Sequence, residues 1–265
     1  MKRLNNSGFT IIETTLVLAI SGALIGALMI GTWSSINAQR YRDSVTSLES
    51  LIKQQYSDVD NAINGRLLNN NQCKSLVAGV GQSDCMILGK YLKIDQDGGI
   101  STSTVAGYRS DNTPAADGKE ITALSSKYIL FIVDGTTETS QLEWGAKIAW
   151  PESGLGYQIT TTPRSIAFLF LHSPTSSLIY TFSSSDISTS LNGDTGMIND
   201  DTNGDPGQSI RNICVYSGDG FNKGLSVWVD ATAFDASAVQ IHSNDMNPAD
   251  IYEAGSAFIG NPPKC

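Results

Sequence analysis

The sequence predicts an α+β protein in which a long N-terminal helix, membrane-spanning and then amphipathic, packs on an antiparallel β-sheet head. Three observations predict this fold class. The chain is almost wholly apolar from Phe9 to Ile30, it carries an apolar stripe with a helical period from Ile36 to Ile63, and short β-prone runs follow beyond Arg66. Apolar residues make up 40% of the 265 residues, which is enough for a substantial core.

The apolar run is long enough to cross a bilayer as a helix, which takes about 20 residues. Lys2 and Arg3 precede it, so the positive-inside rule keeps the N-terminus cytoplasmic and sends the rest of the chain outside. Trp33 follows the run, and its amphipathic ring suits a membrane interface. No Ala-x-Ala exit ends the run, so cleavage after it is not expected.

Glu13 is the one charged side chain between Phe9 and Arg40. A carboxylate inside a spanning helix costs about 2.5–3.5 kcal/mol on insertion scales, so it needs a partner. Thr14 and Thr15 follow it, and their hydroxyls are expected to bond back to helix carbonyls.

The segment Gly8-Phe9-Thr10-Ile11-Ile12-Glu13, behind a short basic leader, resembles the processing site of type IV prepilins. The resemblance implies that a prepilin peptidase cuts between Gly8 and Phe9 and methylates the new Phe9 amine. It also implies that Glu13 neutralises the amine of a neighbouring subunit in a filament and sets the register between subunits. The alternative is a plain signal anchor with an acid near the cytoplasmic interface.

The same resemblance divides the chain into a leader peptide (residues 1–8), a transmembrane and assembly helix (9–65) and a β-rich head (66–265). The head is expected to end in a region closed by a disulfide. Many pilins have a proline midway along the helix, but this chain has none there. Gly22, Gly26 and Gly31 are the candidates for a weak stretch, since each costs about 1 kcal/mol of helix propensity. Gly22 and Gly26 also form a GxxxG pair that permits close helix packing.

The amphipathic half of the helix is read from apolar residues spaced three or four apart, with Asn64-Gly65 as the helix stop. The stripe consists of Ile36, Tyr41, Val45, Leu48, Ile52, Tyr56, Val59 and Ile63.

Short runs bounded by Gly, Ser, Asn, Asp and Pro predict the strands of the head, and a short helix is expected around Cys85–Leu92. The predicted strands are Lys127–Val133, Ser165–Leu171, Leu178–Phe182, Ile210–Tyr216, Leu225–Val229 and Val239–Ile241.

Four cysteines, at Cys73, Cys85, Cys214 and Cys265, lack the CxxC spacing of zinc or thioredoxin-like sites. In an exported protein an even number favours two disulfides. Three pairings are possible, of which proximity in sequence favours Cys73–Cys85 with Cys214–Cys265. Four buried thiols are the alternative.

One polar loop is a candidate calcium site, and no other cofactor is expected. Asp201, Asn203 and Asp205 place oxygen ligands at alternate positions, as calcium loops do, although the spacing is not that of an EF-hand. The alternative is a polar turn cluster, because Asp, Asn and Gly are common turn residues. Asp95–Gly99 is a weaker candidate of the same kind.

The remaining observations argue against several function classes. The net charge of −9 disfavours general nucleic-acid binding. No catalytic signature surrounds either histidine, His172 or His242, so the chain is not expected to be an enzyme. A sugar-stacking surface is a further possibility, formed by Trp144, Trp150, Tyr157 and Trp228, although such aromatics more often lie in a core.

The expected function is that of a structural subunit of a type IV pilus-like filament serving adhesion, twitching motility or DNA uptake. Its partners are other copies of itself, the prepilin peptidase, the pilus assembly machinery and, for the head, a surface or carbohydrate ligand. It is expected in the cell membrane before assembly and in an extracellular pilus afterwards. The alternatives are a low-copy minor pilin or pseudopilin, whose enlarged head adheres, binds sugar or primes assembly, and a signal-anchored secreted enzyme.

Overall fold

The computed structural model describes residues 10–61, 85–109, 120–149, 163–184, 191, 197–198, 212–216, 224–229 and 235–243. It confirms the α+β prediction, because one long N-terminal helix packs against curled antiparallel sheets.

The N-terminal helix, α1 (Ile11–Asp60), is 50 residues long, which corresponds to about 75 Å at 1.5 Å per residue. Thr10 is its N-cap and Asn61 its C-cap. The Asn61 side-chain amide donates to the Ser57 carbonyl at 2.8 Å, so the last turn is capped from within. The helix therefore ends four residues before the predicted stop at Asn64-Gly65, which lies outside the described residues.

The predicted stripe is confirmed over the second part of α1, from Tyr41 to Val59, which we call the buried half. Its six apolar side chains are each at most 1% exposed: Tyr41, Val45, Leu48, Ile52, Tyr56 and Val59. Ile36 was predicted to belong to the stripe, but it is 46% exposed because the head begins to cover the helix only beyond it.

Ten strands and a short helix, α2 (Glu120–Lys127), make up the described part of the head. The strands are β1 (Cys85–Ile94), β2 (Gly99–Arg109), β3 (Tyr128–Ile132), β4 (Glu138–Gln141), β5 (Lys147–Ala149), β6 (Ile166–His172), β7 (Ile179–Ser184), β8 (Asn212–Tyr216), β9 (Leu225–Val229) and β10 (Val239–Ser243).

These strands form two antiparallel sheets. The first sheet has the order β3-β2-β1-β6-β7, with β4 also pairing with β2, and the second has the order β10-β9-β8-β5. On the edge opposite β1, β2 has two partners, because β4 pairs with its first residues and β3 with its last. The chain passes from the first sheet to the second between β4 and β5, through a short 3-10 turn at Glu143–Gly145.

The buried half of α1 lies in one core with side chains from both sheets. The first sheet contributes Leu92, Ile94, Ile100, Ile166, Phe168, Phe170 and Ile179, and the second contributes Ile148, Ile213, Val215, Val227, Val229 and Val239. The opposite face of the first sheet carries a second core, to which Leu124 of α2 and the separate positions Leu191 and Ile198 contribute. The central strands β1 and β6 of the first sheet are thus buried on both faces.

The six predicted strands are found with shifts of one or two residues at their ends, but the predicted helix around Cys85–Leu92 is wrong. This segment is β1, which pairs with β2 on one side and β6 on the other. Its Met, Leu and Lys residues favour a helix locally, and two flanking strands override that preference.

Candidate assembly site at the start of the N-terminal helix

The first part of α1, from Ile11 to Ile36, has none of the described part of the head packed against it, and we call it the bare half. Its large apolar side chains are between 46% and 83% exposed: Ile11, Ile12, Leu16, Val17, Leu18, Ile20, Leu24, Ile25, Leu28, Met29, Ile30, Trp33 and Ile36. Among the described residues, α1 is the one helix long and apolar enough to cross a membrane. By length and composition, therefore, the bare half can span a bilayer.

Glu13 lies in the first turn of α1 and closes a capping box with Thr10. One carboxylate oxygen, Oε2, accepts from the Thr10 backbone N–H at 2.9 Å and from the Thr10 hydroxyl at 2.9 Å. The Glu13 N–H in turn donates to the Thr10 hydroxyl oxygen at 3.3 Å. A capping box of this kind satisfies donors that the helix start leaves without intrahelical partners.

This geometry gives the carboxylate local hydrogen-bond partners on only one of its two oxygens. Both bonds fall on Oε2, which leaves Oε1 able to accept from a further donor. A negative charge in the first turn is also favoured by the helix macrodipole, typically by 0.3–1 kcal/mol at an exposed surface. Glu13 is therefore held in one orientation at the helix start while it retains a free acceptor.

The hydroxyls that follow Glu13 behave as predicted from the sequence. Thr14 Oγ1 donates to the carbonyl oxygens of Thr10 and Ile11 at 3.0 and 3.1 Å, and Thr15 Oγ1 donates to Ile12 at 3.0 Å. These bonds hide polar groups against the backbone, so the bare half presents an apolar surface despite its threonines.

Thr10 was not singled out from the sequence, although a signal for it was present. A Ser or Thr followed three residues later by Glu, just before an apolar run, is the signature of a capping box. Thr10-Ile11-Ile12-Glu13 has that spacing.

The GxxxG pair leaves open space on the bare half. A Cβ atom added at Gly22, Gly26 or Gly31 would meet nothing within 4 Å. The helix surface at these positions is thus open to the close approach of another helix.

Just beyond the bare half, three residues of α1 contact the start of β9 and the 3-10 turn. The Tyr41 hydroxyl accepts from the Leu225 N–H at 2.9 Å and lies 3.4 Å from the Leu225 carbonyl. The fully buried Ser44 donates to the Glu143 carbonyl at 3.1 Å. The Arg40 guanidinium lies 4.8 Å from the centre of the Trp144 ring. The start of β9 and the 3-10 turn are thereby fixed to the helix.

Several predicted site residues lie outside the described part of the chain. These are Gly8, Phe9, Cys73, Cys265, Asp201, Asn203 and Asp205. The processing, calcium and disulfide-pairing predictions therefore stay predictions. Of the other cysteines, Cys85 starts β1 and Cys214 is fully buried in β8, and neither is a free thiol.

The weaker calcium candidate and two of the four aromatic residues lie in the described structure, where their neighbours can be named. Asp95 and Asp97 lie in the turn between β1 and β2, where Lys93 and Lys147 approach them at 3.2 and 3.8 Å. Trp228 packs edge-on against His242 with ring centres 6.3 Å apart, whereas Trp144 contacts Arg40. The two tryptophans thus have different neighbours, and Trp150 and Tyr157 lie outside the described residues.

In comparisons with known proteins, no family model, curated protein or solved structure matches this chain.

Proposed function

We propose that the chain is a pilin-like subunit that is first anchored in a membrane and then assembled into an extracellular filament. A prepilin peptidase removes residues 1–8 and methylates the new amine of Phe9. The bare half of α1 is the anchor before assembly and the polymerisation surface afterwards. The filament serves adhesion, twitching motility or DNA uptake through the surface of the head.

The observation that carries this proposal is the bare half itself, which exposes many large apolar side chains and carries one charged group, Glu13. Burying a Leu, Ile or Val side chain stabilises a protein by about 1.5–3 kcal/mol, so a long exposed row of them needs a second environment. Lipid satisfies the apolar residues but gives Glu13 no partner. A bundle of identical helices satisfies both.

Glu13 is the residue to which we assign the pairing between subunits. Oε2 stays with Thr10 in the capping box, and Oε1 accepts from the Phe9 amine of a neighbouring subunit. Because the Coulomb energy of such a pair rises as the local dielectric constant falls, the pair offsets part of the cost of burying each charge. The pair also fixes the axial position of one subunit against the next.

Replacing Glu13 tests the proposal. We expect Glu13→Val to insert in the membrane and to be processed, but to be lost from sheared filaments. Mass spectrometry of the N-terminal peptide should show a chain that begins at a methylated Phe9 in both the parent and the variant.

The matched control is Glu49→Gln, which removes an acid from the same helix within the region packed on the head. Glu49 pairs with Lys53 at 2.7 Å within α1, and its side chain is 18% exposed. Gln has nearly the same size and keeps a hydrogen-bonding oxygen, so the substitution should leave filament incorporation unchanged. Normal incorporation of Glu13→Val would contradict the pairing. A chain that still begins at Met1 would contradict the processing step.

A further inference from the structure

The 3-10 turn at Glu143–Gly145 carries an exposed tryptophan just beyond the end of the bare half. Trp144 is 53% exposed, and its backbone has φ 58° and ψ 26°, in the left-handed region that bulky residues rarely adopt. Two contacts join the turn to α1: Ser44 donates to the Glu143 carbonyl at 3.1 Å, and the Arg40 guanidinium lies 4.8 Å from the centre of the indole ring. The ring is therefore held against the helix on one side and is open on the other.

The turn lies over the same face of α1 as the last apolar residues of the bare half. Trp33, Ile36 and Arg40 are spaced three and four residues apart, so they follow one another along one face of the helix. Trp33 is 68% exposed and Ile36 is 46% exposed. Because Trp144 lies against Arg40, the exposed apolar surface of the bare half continues onto the head at this turn.

A bilayer around the bare half does not extend as far as Trp144. Arg40 lies seven residues beyond Trp33, or about 10 Å along the helix. Both side chains lean toward the N-terminus of α1, so the lean does not shorten this separation. The headgroup layer is only about 5–7 Å thick, so with Trp33 at the interface the indole ring of Trp144 lies outside it. Lipid therefore does not cover this ring.

A second copy of the chain can cover it. In the proposed filament the helices of neighbouring copies lie side by side, and they point the same way because all copies leave one membrane in one orientation. A helix that lies along the face of Trp33 and Ile36 meets the 3-10 turn at the outer end of that face. Tryptophan and arginine are enriched among the residues that carry most of the binding energy of interfaces, and a ring already held in place loses little freedom on binding.

We propose that Trp144 packs against α1 of a neighbouring copy in the filament, so that the polymerisation surface extends from the bare half onto the head. The contact rests on the proposed function, because it belongs to the same assembly. A filament is an open, head-to-tail assembly, so Trp144 of one copy contacts a different surface of the next copy rather than its Trp144.

The first experiment replaces Trp144 in the full chain with p-benzoylphenylalanine, a photoreactive residue that keeps an aromatic ring. Sheared filaments are irradiated, and we expect an adduct of twice the chain mass. Mass spectrometry should place the attached peptide in α1 of a second copy. The matched control carries the same probe at Leu178, which is 37% exposed in the turn between β6 and β7, at the opposite end of the first sheet from the 3-10 turn. The control should not give this adduct.

The outcomes separate the contact from the filament itself. Filaments that assemble with the probe at position 144 but yield only single-mass chains would overturn the contact and leave the proposed function standing. An adduct with a different protein, or an equal yield of the α1 adduct from position 178, would also overturn the contact. Absence of the parent chain from sheared filaments would overturn both.

A second experiment does not depend on the probe. Asn is among the residues that best tolerate a positive φ, so Trp144→Asn removes the ring while the turn keeps its conformation. Its thermal unfolding should match that of the parent, whereas its incorporation into filaments should fall by about tenfold, as expected when a central interface residue is lost. Trp144→Phe, which keeps a ring, should retain most of the incorporation. Equal incorporation of the Asn and Phe variants would show that the ring makes no contact in the filament.

Discussion

The two halves of α1 belong to one uninterrupted helix, yet they differ in almost every physical respect. The buried half has apolar residues at helical spacing, and the six in its stripe are at most 1% exposed. The bare half is apolar on all sides, and its large side chains are exposed. Periodicity therefore marks where one face of the helix is covered by the head, and its absence marks the part that the described head leaves uncovered.

The sharpest test of this difference compares two leucines. Leu48→Ala in the buried half should destabilise the head by about 2–5 kcal/mol, because the cavity lies in the shared core of α1 and both sheets. Leu24→Ala in the bare half should leave the free energy of unfolding almost unchanged, since Leu24 is exposed. Urea unfolding of the full chain in detergent micelles measures both. Equal losses would mean that the bare half packs on the head.

Two glycines give the next largest contrast. An alanine Cβ at Gly89 in β1 would overlap the carbonyl oxygen of Phe170 on the neighbouring strand. Because the strands must shift to admit it, we expect Gly89→Ala to cost about 1–3 kcal/mol. Gly26→Ala meets nothing within 4 Å and should raise helix stability by up to about 1 kcal/mol. Thermal unfolding followed by circular dichroism distinguishes the two, and a destabilising Gly26→Ala would contradict the open surface.

A smaller effect is expected from the polar contact at the far end of the buried half. The Tyr56 and Thr181 hydroxyls lie 2.7 Å apart in the core, where Tyr56 also packs edge-on against Phe170. A double-mutant cycle of Tyr56→Phe and Thr181→Val should give a coupling energy of about 1 kcal/mol. Additive losses within experimental error would mean that this hydrogen bond does not help to hold β7 on the helix.

The smallest expected effect is on the pH dependence of the free energy of unfolding, and it comes from His242 in the head. Burial lowers the pKa of the His242 imidazole below its usual value of 6.5. The folded state then disfavours the protonated ring, so the contribution of His242 to the free energy of unfolding is fully present above pH 6.5 and is lost as the pH falls from 6.5 through the folded-state pKa. Chemical unfolding at pH 7.5 and pH 5.5 should show this loss, and His242→Gln should remove it. His172→Gln is the matched control, and an unchanged pH dependence in His242→Gln would assign the effect elsewhere.

The parts of the fold that were predicted are those whose patterns are local. The stripe from Tyr41 to Val59 follows from helical spacing, and runs such as Ile166–His172 follow from β-prone composition. β1 was mistaken for a helix because pairing with β2 and β6, a long-range property, decides its structure. β2 begins with serines and threonines that resemble a loop, and the fully exposed β4 has no buried face to produce a pattern.

The candidate site, like the fold, has residues that the local sequence predicts and others that it does not. Glu13 is conspicuous in the sequence because a charge in an apolar run needs an explanation. Its capping partner Thr10 is readable from spacing, but Trp144 is not. The Ser44–Glu143 hydrogen bond and the Arg40–Trp144 contact join residues about 100 positions apart, and no local sequence pattern predicts such contacts.

The bonds between the Tyr41 hydroxyl and Leu225 have a consequence for the order in which the chain folds. They join residues 184 positions apart, and the core around them also includes Val239 of the last described strand. Closing such long loops is entropically costly, and domains dominated by non-local contacts fold in milliseconds to seconds rather than microseconds. The buried half of α1 is synthesised before every strand of the head, but its core is complete only when the last described strands are in place. Until β9 and β10 follow, the stripe of the buried half is exposed and prone to aggregation.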